Sequence, residues 1–124
     1  MMVIRAVDAP RFDLPGVVFT GFAAPSRGSG DLCTWRLTVE GSFVSPEPHT
    51  LDRDEVFMVT AGAIRLTPDG ETIAAGDAAV VPAGSPIQLA NAGVTTAEVF
   101  VAIPAGFVAK AADGSVIGTP PWAE

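Results

Sequence analysis

The sequence is poor in cysteine and in basic residues, and each shortage argues against a class of protein. Cys33 is the one cysteine among 124 residues, so no disulfide can form within the chain, which is typical of a reducing compartment. Seven Lys and Arg residues stand against fourteen Asp and Glu residues, a formal net charge of −7. A surface of that charge repels phosphate backbones and anionic lipid headgroups. We therefore predict that the chain binds neither nucleic acid nor membrane surfaces.

Long apolar runs are also missing. No segment approaches the roughly eighteen uninterrupted apolar residues of a membrane-spanning helix. Residues 1–8 contain no apolar run long enough for a secretory signal peptide. Together with the single cysteine, these observations predict a cytoplasmic protein.

Short apolar segments and frequent turn residues fill the sequence instead. Thirteen glycines and eleven prolines interrupt the chain, and no stretch has a helical period worth assigning. Residues 32–40 alternate between apolar and polar side chains, the period of a strand with two different faces. Further short strands are predicted over residues 17–22, 78–81 and 86–90. Short strands separated by turn signals favour an all-β barrel or sandwich.

Two segments carry a more specific spacing. In residues 48–62, a histidine, a glutamate and a glycine stand at His49, Glu55 and Gly62. In residues 76–91, the matching positions are Gly76, Pro82, Gly84 and Asn91. This spacing resembles the two motifs of the cupin superfamily, which are small antiparallel β-barrels of the double-stranded β-helix type.

The resemblance implies a single all-β, jelly-roll-like cupin domain over residues 1–124. Residues 1–31 would be an N-terminal lead-in, residues 32–103 the barrel core with both motifs, and residues 104–124 a C-terminal extension. We expect the extension to be non-helical and to cover the barrel or a neighbouring subunit through Phe107 and Trp122. Aromatic side chains left in water would lose the free energy gained by burial. Small cupins commonly pair, so the resemblance also implies a homodimer.

Two positions depart from the family pattern. Leu51 occupies the second histidine position of the first motif, and Ile87 occupies the histidine position of the second. Neither side chain can coordinate a metal, and the chain has one histidine in total, so the family's usual set of three imidazoles and a carboxylate cannot be rebuilt. We therefore predict no cofactor. A divalent metal at His49 and Glu55, completed by water, is the weaker alternative.

Two further side chains near these positions, Gln88 and Glu47, have oxygen atoms that could bind such a metal. Gln88 has the wrong alternation to point inward beside Ile87. Glu47 lies outside the matched motif positions. Neither residue is therefore predicted to complete a metal site.

The resemblance places a pocket inside the barrel. Alternation puts Glu55 and Phe57 on one strand face, and in cupins that face points inward. The pocket would be mostly aliphatic, with one imidazole and one carboxylate. Its predicted ligand-binding and catalytic residues are His49, Leu51, Glu55, Phe57, Ile87 and Leu89. Arg36 is added as an anchor for a substrate carboxylate, on the condition that the polar face of residues 32–40 is the inner one.

His49 and Glu55 are the predicted catalytic pair, within direct or one-water hydrogen-bond reach of each other. Burial raises the pKa of a carboxyl and lowers that of an imidazole, while mutual contact opposes both shifts. Such a pair could abstract and return a proton on a small molecule, as in an isomerase, lyase or cyclase. Metal-free epimerases of the superfamily also use a tyrosine acid, and this chain has no tyrosine, which argues against that reaction.

Three alternatives stay open at this point. The buried His49 and Glu55 could be remains of a ligand set with a purely structural role. The chain could be a non-catalytic module that binds a small, largely apolar ligand. It could also be a metal-dependent cupin enzyme with an incomplete ligand set.

Overall fold

Strands and turns account for nearly all of the regular structure. The computed structural model describes all 124 residues and contains no α-helix, so the all-β prediction is confirmed, and no helix is long or apolar enough to cross a bilayer. Two single 3-10 turns span Pro25–Arg27 and Pro121–Ala123. The strands are β1 Arg11–Leu14, β2 Val17–Gly21, β3 Leu32–Val39, β4 His49–Leu51, β5 Glu55–Ala61, β6 Ala63–Arg65, β7 Ile73–Ala74, β8 Ala78–Val81, β9 Ala90–Asn91, β10 Ala97–Pro104, β11 Ala109–Ala111 and β12 Val116–Gly118.

The strands form three antiparallel sheets. The largest has six strands in the order β1-β2-β3-β10-β5-β8, and the two others have the orders β12-β11-β4 and β7-β6-β9. Strands that are distant in sequence pair with each other, as β3 does with β10 and β4 with β11, and this pairing holds the sheets together. This arrangement agrees with the barrel that the motif spacing predicts.

The two central strands of the large sheet, β3 and β10, supply much of the core. Both bury every second residue, which is the period that strand geometry imposes on a sheet with one covered face. Their register sets Trp35 opposite Val101 and Leu37 opposite Val99. Residues directly opposite each other share a face, so these four side chains pack on the inner side of the sheet.

The N-terminal lead-in is more structured than predicted. β1 and β2 form a hairpin around Pro15-Gly16, where Gly16 has a φ of +83°, and β2 then pairs with β3. Residues 11–21 are therefore part of the main sheet, and only the second of these strands was expected from sequence. β1 escaped notice because it has four residues that are mostly exposed, so burial imposes no apolar alternation on it.

The second motif segment is partly different from expectation. Ala78–Val81 is a strand as predicted, but the predicted strand over residues 86–90 is reduced to Ala90–Asn91 and an isolated bridge at Ile87. Hydrogen bonds of the Asn91 side chain hold the backbone of this segment in place. Its amide nitrogen donates to the carbonyls of Val39, Glu40 and Thr95 at 3.2, 3.0 and 2.8 Å, and its oxygen accepts from the Gly93 N–H at 2.9 Å.

The C-terminal extension folds back over its own barrel. It forms the β11–β12 hairpin, β11 pairs with β4, and Phe107 is almost completely buried. The Trp122 ring stacks on Phe19 with 3.8 Å between ring centroids. Apart from one 3-10 turn at Pro121–Ala123 the extension is non-helical, as expected, and its two aromatic side chains cover this subunit's barrel.

Candidate functional site

A cavity of about 360 Å³, partly open to solvent, lies inside the barrel. Its walls come from the inner face of the six-stranded sheet and from the β12-β11-β4 sheet, and part of its cover comes from the C-terminal extension. Thirteen of its nineteen lining residues are hydrophobic. A cavity of this size and character suits a small organic molecule.

The two motif segments meet at this cavity through a backbone pair. The His49 N–H donates to the Ile87 carbonyl at 3.0 Å, and the Ile87 N–H donates to the His49 carbonyl at 2.8 Å. Because opposed residues of an antiparallel pair share a face, the imidazole and the Ile87 side chain lie on the same wall. Leu51 lies two residues beyond His49 on β4, and its carbonyl accepts from the Gly84 N–H at 2.8 Å.

All six residues predicted to converge inside the barrel lie on the cavity wall. Strand alternation explains the placement of Glu55 and Phe57 on β5, and the His49–Ile87 pair explains that of the other four. The residues are His49, Leu51, Glu55, Phe57, Ile87 and Leu89. Their chemical roles stay predictions.

Glu55 is the most unusual group on the wall. The residue is 3 % exposed, and its Oε2 atom is covered with no hydrogen-bond partner. No lysine or arginine forms an ion pair with it. Burial without a compensating charge raises the pKa of Glu55 to about 8, so the side chain is mostly a neutral carboxylic acid at pH 7.

His49 is the other ionisable group of the cavity whose pKa is shifted, and it is half-buried. Burial lowers the pKa of its imidazole below 6.5, so the ring is neutral at pH 7. No hydrogen bond or ion pair joins it to Glu55, and the two ion pairs of the protein are Arg11–Asp13 and Arg53–Asp52. Of the two predicted forms of the pair, the direct contact is absent, and the contact through one water stays a prediction. The two groups face one cavity from different sheets, and a water or a ligand between them would have to connect them.

Arg36 does not belong to this cavity, and its predicted role as an anchor there is wrong. The apolar side chains of β3 face inward, so Arg36 lies on the outer face, with its guanidinium carbon 5.9 Å from the centre of the Phe22 ring. It lines a separate groove together with Arg11, Thr20 and Thr38. Burial of apolar area decides which face of the strand turns inward.

Several wall residues were not predicted. Phe19, Trp35 and Trp122 line the cavity, and Glu47 lies at its edge although it falls outside the motif positions. Trp35 could have been found, because it has the same alternation as the inward residue Leu37. Phe19 had no local signal, since its contact with Trp122 joins positions about a hundred residues apart, whereas Trp122 was expected only as a cover of the barrel or of a neighbouring subunit.

A metal ion does not fit the residues present. No three His, Cys, Asp or Glu side chains come close enough together to hold one. The positions beside His49 carry the aliphatic side chains of Leu51 and Ile87, which offer no donor atom. No step of the chemistry below is therefore routed through a metal.

A second depression of about 780 Å³ lies over β7 and β8 between Leu66 and Val81. It is wide and open to solvent, and its only ionisable side chains are Glu71 and Asp77, both exposed. The barrel cavity is smaller, but unlike this depression it is lined by ionisable groups whose pKa values are shifted by burial, Glu55 and His49. We therefore place the candidate site in the barrel cavity.

Comparison with known proteins agrees with this architecture. The family described as "Cupin domain" matches residues 35–103, more than half of the chain. The chain is a cupin. Among curated proteins, no sequence matches.

Solved structures similar to this cupin cover most of it. The polyketide cyclase RemF from Streptomyces resistomycificus has a TM-score of 0.74 at 15% identity, over 98% of this chain and 88% of that one. An RmlC-like cupin from Ralstonia eutropha has a TM-score of 0.76 at 12% identity, over 98% and 79% of the two chains. A sugar phosphate isomerase from Silicibacter pomeroyi has a TM-score of 0.67 at 24% identity, over 80% and 67%. At these identities the likeness supports the fold.

Proposed function

We propose that this cupin binds a small, largely apolar molecule in the barrel cavity and carries out metal-independent acid/base chemistry on it. His49 is the base and Glu55 is its acidic partner. The observation that supports this most is the state of Glu55, a carboxyl group that is 3 % exposed and has no partner in an apolar cavity. Polar groups buried without a partner are costly, and functional sites are where such groups concentrate.

The protonation states of the two groups suit proton transfer next to a carbonyl. The protonated Glu55 can donate to a carbonyl oxygen, while the neutral imidazole of His49 accepts a proton from the adjacent carbon. The carbonyl then becomes an enol as the Glu55 proton moves to its oxygen. In each route the enol hydroxyl returns its proton to the Glu55 carboxylate as the carbonyl re-forms. The protonated His49 gives its proton to another carbon in an isomerisation, to the departing group in an elimination, and to the alkoxide that forms when the enol carbon attacks a second carbonyl in a cyclisation.

The similar structures support the reaction class without fixing it. One of them is a cyclase and another is an isomerase, so barrels of this shape hold two of the three proposed reaction types. The wall of this cavity carries no lysine or arginine to neutralise a phosphate. We therefore propose an uncharged substrate rather than a sugar phosphate.

Hydrogen exchange on a simple ketone tests the proposed chemistry. In deuterated water, the protein should speed exchange of the α-protons of 2-tetralone, measured by NMR. Glu55→Gln and His49→Ala should each slow the catalysed exchange by about 100-fold, because acid/base groups typically contribute that much. Glu71→Gln, which changes an exposed glutamate, is the matched control. Equal exchange in all four proteins would contradict the proposal.

A non-catalytic binding module is the second candidate. The absence of a direct contact between His49 and Glu55 favours it, because a catalytic base is commonly oriented by a hydrogen bond. In that case His49→Ala and Glu55→Gln would alter ligand affinity, and neither the protein nor its variants would exchange protons faster than buffer.

We also propose that the chain forms a homodimer. Met58 and Val80 are 39% and 66% exposed on the outer face at the β8 edge of the large sheet. Exposed apolar surface of this kind commonly marks an interaction site. Sedimentation of the protein and of Met58→Glu tests the idea, and a monomeric wild-type protein at micromolar concentration would contradict it.

A further inference from the structure

A groove of about 400 Å³ on the outer face of the large sheet contains two of the chain's seven basic residues. Its polar lining residues are Arg11, Thr20, Arg36 and Thr38, and no acidic residue lines it. The barrel cavity has the opposite composition, with two glutamates and no lysine or arginine. In a chain with a net charge of −7, this groove is therefore a place where a negative charge would be stabilised.

The register of three strands places these side chains together. Arg11 on β1 lies opposite Thr20 on β2, and Thr20 lies opposite Arg36 on β3. Opposed residues of an antiparallel pair share a face, so the two arginines flank the threonine. Because neighbouring strands lie about 4.8 Å apart, the backbones of the two arginines are about 10 Å apart. Two side chains of this length can both contact one small anion between them.

The N-terminal segment before β1 gives the groove a second wall. The Pro10 carbonyl accepts a hydrogen bond from the Gly21 N–H at 2.9 Å, which holds the end of this segment next to β2. The groove is therefore a concave site and not a flat sheet surface. Its apolar lining residues are Ala6, Val7, Ala9 and Val18.

Arg36 has no hydrogen-bond acceptor within the protein. The arginine side chains that donate hydrogen bonds are Arg27 and Arg53, and the two ion pairs involve Arg11 and Arg53. Arg36 is half-buried, and of its three guanidinium nitrogens only Nε is covered. Its contact with the Phe22 ring, at 5.9 Å, supplies no acceptor. Nη1 and Nη2 are thus open to a molecule in the groove, and an acceptor bound there would be stabilised.

Thr20 is the second polar group of the groove without a partner. The residue is 2 % exposed, and its hydroxyl makes no hydrogen bond, in contrast to those of Thr34, Thr60 and Thr119. Its oxygen, unlike Nε of Arg36, is not completely covered. A hydroxyl can donate one hydrogen bond, so Thr20 can add a contact to an anion held by Arg36.

The charges around the groove suit a single negative charge. Asp13 forms an ion pair with Arg11 at 3.5 Å and so partly neutralises it. Glu98 lies opposite Thr38 in the register of β3 with β10, but it does not line the groove. Arg36 is left as the unpaired charge of the groove. One unpaired guanidinium matches a carboxylate better than it matches a doubly charged phosphate monoester.

We propose that this outer groove binds the carboxylate of a small organic acid. Nη1 and Nη2 of Arg36 form a fork that matches the two oxygens of a carboxylate, and the Thr20 hydroxyl donates a further hydrogen bond. The alanine and valine side chains of the groove contact the apolar part of the acid. The site lies on the opposite side of β3 from the barrel cavity and does not depend on the proposed function.

Benzoate and benzamide test the site, because they have nearly the same shape and differ in charge. Binding is measured from the backbone amide resonances of isotope-labelled protein in about 0.15 M NaCl, where weak attraction between exposed charges is screened. Benzoate should bind at least about ten times more tightly than benzamide, because only benzoate accepts charge-assisted hydrogen bonds. It should shift the amides of Thr20 and Thr38 more than those of Leu51 and Phe57, which line the barrel cavity.

Three variants separate the guanidinium fork from simple charge. Arg36→Gln should lower benzoate affinity by at least about tenfold. Arg36→Lys keeps the charge without the fork and should lower affinity by about 3- to 5-fold. Arg53→Gln removes the same charge from an exposed ion pair outside the groove and should change affinity by less than about twofold. If Arg36→Gln does not fold, Arg36→Lys and the wild-type shifts provide the test.

Three results would overturn this inference: equal affinity for benzoate and benzamide, equal effects of Arg36→Gln and Arg53→Gln, or shifts confined to the barrel cavity. A second copy of the chain is the other source of a carboxylate. If Arg36→Gln weakened a dimer in sedimentation and benzoate bound only the monomer, the groove would be an interface and not a site for a small acid. None of these results bears on proton exchange in the barrel cavity, so the proposed function stands or fails separately.

Discussion

The two faces of β3 show how one strand separates two kinds of chemistry. On the inner face, Trp35 and Leu37 line the apolar barrel cavity. On the outer face, Arg36 and Thr38 line a groove that also contains Arg11. The difference arises because successive side chains of a strand point to opposite sides of a sheet.

This comparison explains the charge of the candidate site. The basic residues near β3 lie on the outer side, so the ionisable side chains inside the barrel are acids and one histidine. Without a nearby cation, burial alone sets the pKa of Glu55 and of His49, and both groups are neutral at pH 7. A cupin interior with this lining is suited to uncharged molecules.

The largest expected difference between the two faces concerns stability. Trp35→Ala should lower the free energy of unfolding by about 3–5 kcal/mol, because it leaves a cavity in the core. Arg36→Ala should cost about 1 kcal/mol or less, since it removes one partly exposed contact with Phe22. Urea denaturation of both variants measures the difference, and equal losses would show that the outer face is as important to stability as the core.

The C-terminal extension should have an intermediate effect. Deleting residues 119–124 removes the Trp122 stack on Phe19 and the hydrogen bond from Arg27, so the free energy of unfolding should fall by about 2–3 kcal/mol. Trp122→Phe, which keeps most of the apolar contact, is the control and should lose less. Unchanged melting and unchanged sedimentation after the deletion would contradict the account of the extension as a cover.

The smallest expected effect concerns metal affinity. Leu51→His and Ile87→His together place two imidazoles beside His49, so affinity for nickel or zinc should rise by at least about tenfold. The control introduces the same two histidines at the exposed residues Val44 and Val94. Calorimetric titration measures the metal affinity of both variants. If the control bound metal as tightly as the Leu51→His and Ile87→His variant, the proposed geometry would be contradicted. Elemental analysis of chelator-free wild-type protein with about one metal per chain would contradict the metal-independent proposal.

Much of the fold could be predicted from sequence because local patterns determine it. The spacing of His49, Glu55 and Gly62 predicted the barrel, and alternation on β5 predicted that Glu55 and Phe57 share the inner face. The prediction of a strand over residues 86–90 was only partly right, and this has a physical cause. Side-chain hydrogen bonds from Asn91 and a single bridge at Ile87 fix that segment without a continuous ladder.

The remaining parts of the site depend on contacts between distant segments. Phe19 contacts Trp122 only in the folded chain, so nothing in the sequence around Phe19 indicates its place on the cavity wall, and for Trp122 the sequence indicated only a covering role. The outward position of Arg36 could have been predicted from sequence, because Trp35 and Leu37 make the other face of the strand far more apolar. The lack of contact between His49 and Glu55 could not, since they lie on different sheets.

The central claim is that Glu55 is a neutral acid inside the folded barrel, and the pH dependence of stability tests it most directly. Between the ordinary pKa of 4.5 and the folded value of about 8, the folded chain holds a proton on Glu55 that the unfolded chain has released. Stability should therefore fall as pH rises through this window, by about 1.4 kcal/mol per pH unit from Glu55, and level off above it.

The measurement is urea denaturation between pH 5 and pH 9 for the wild-type protein, Glu55→Gln and the exposed control Glu71→Gln. His49 acts in the opposite direction below its ordinary pKa of 6.5, but it is present in all three proteins and cancels in the difference. We expect the free energy of unfolding of Glu55→Gln, relative to that of wild type, to increase steadily as pH rises toward 8. The pH dependence of Glu71→Gln should match that of wild type. Parallel pH curves for wild type and Glu55→Gln would show that Glu55 is ionised in the folded protein and would contradict the central claim.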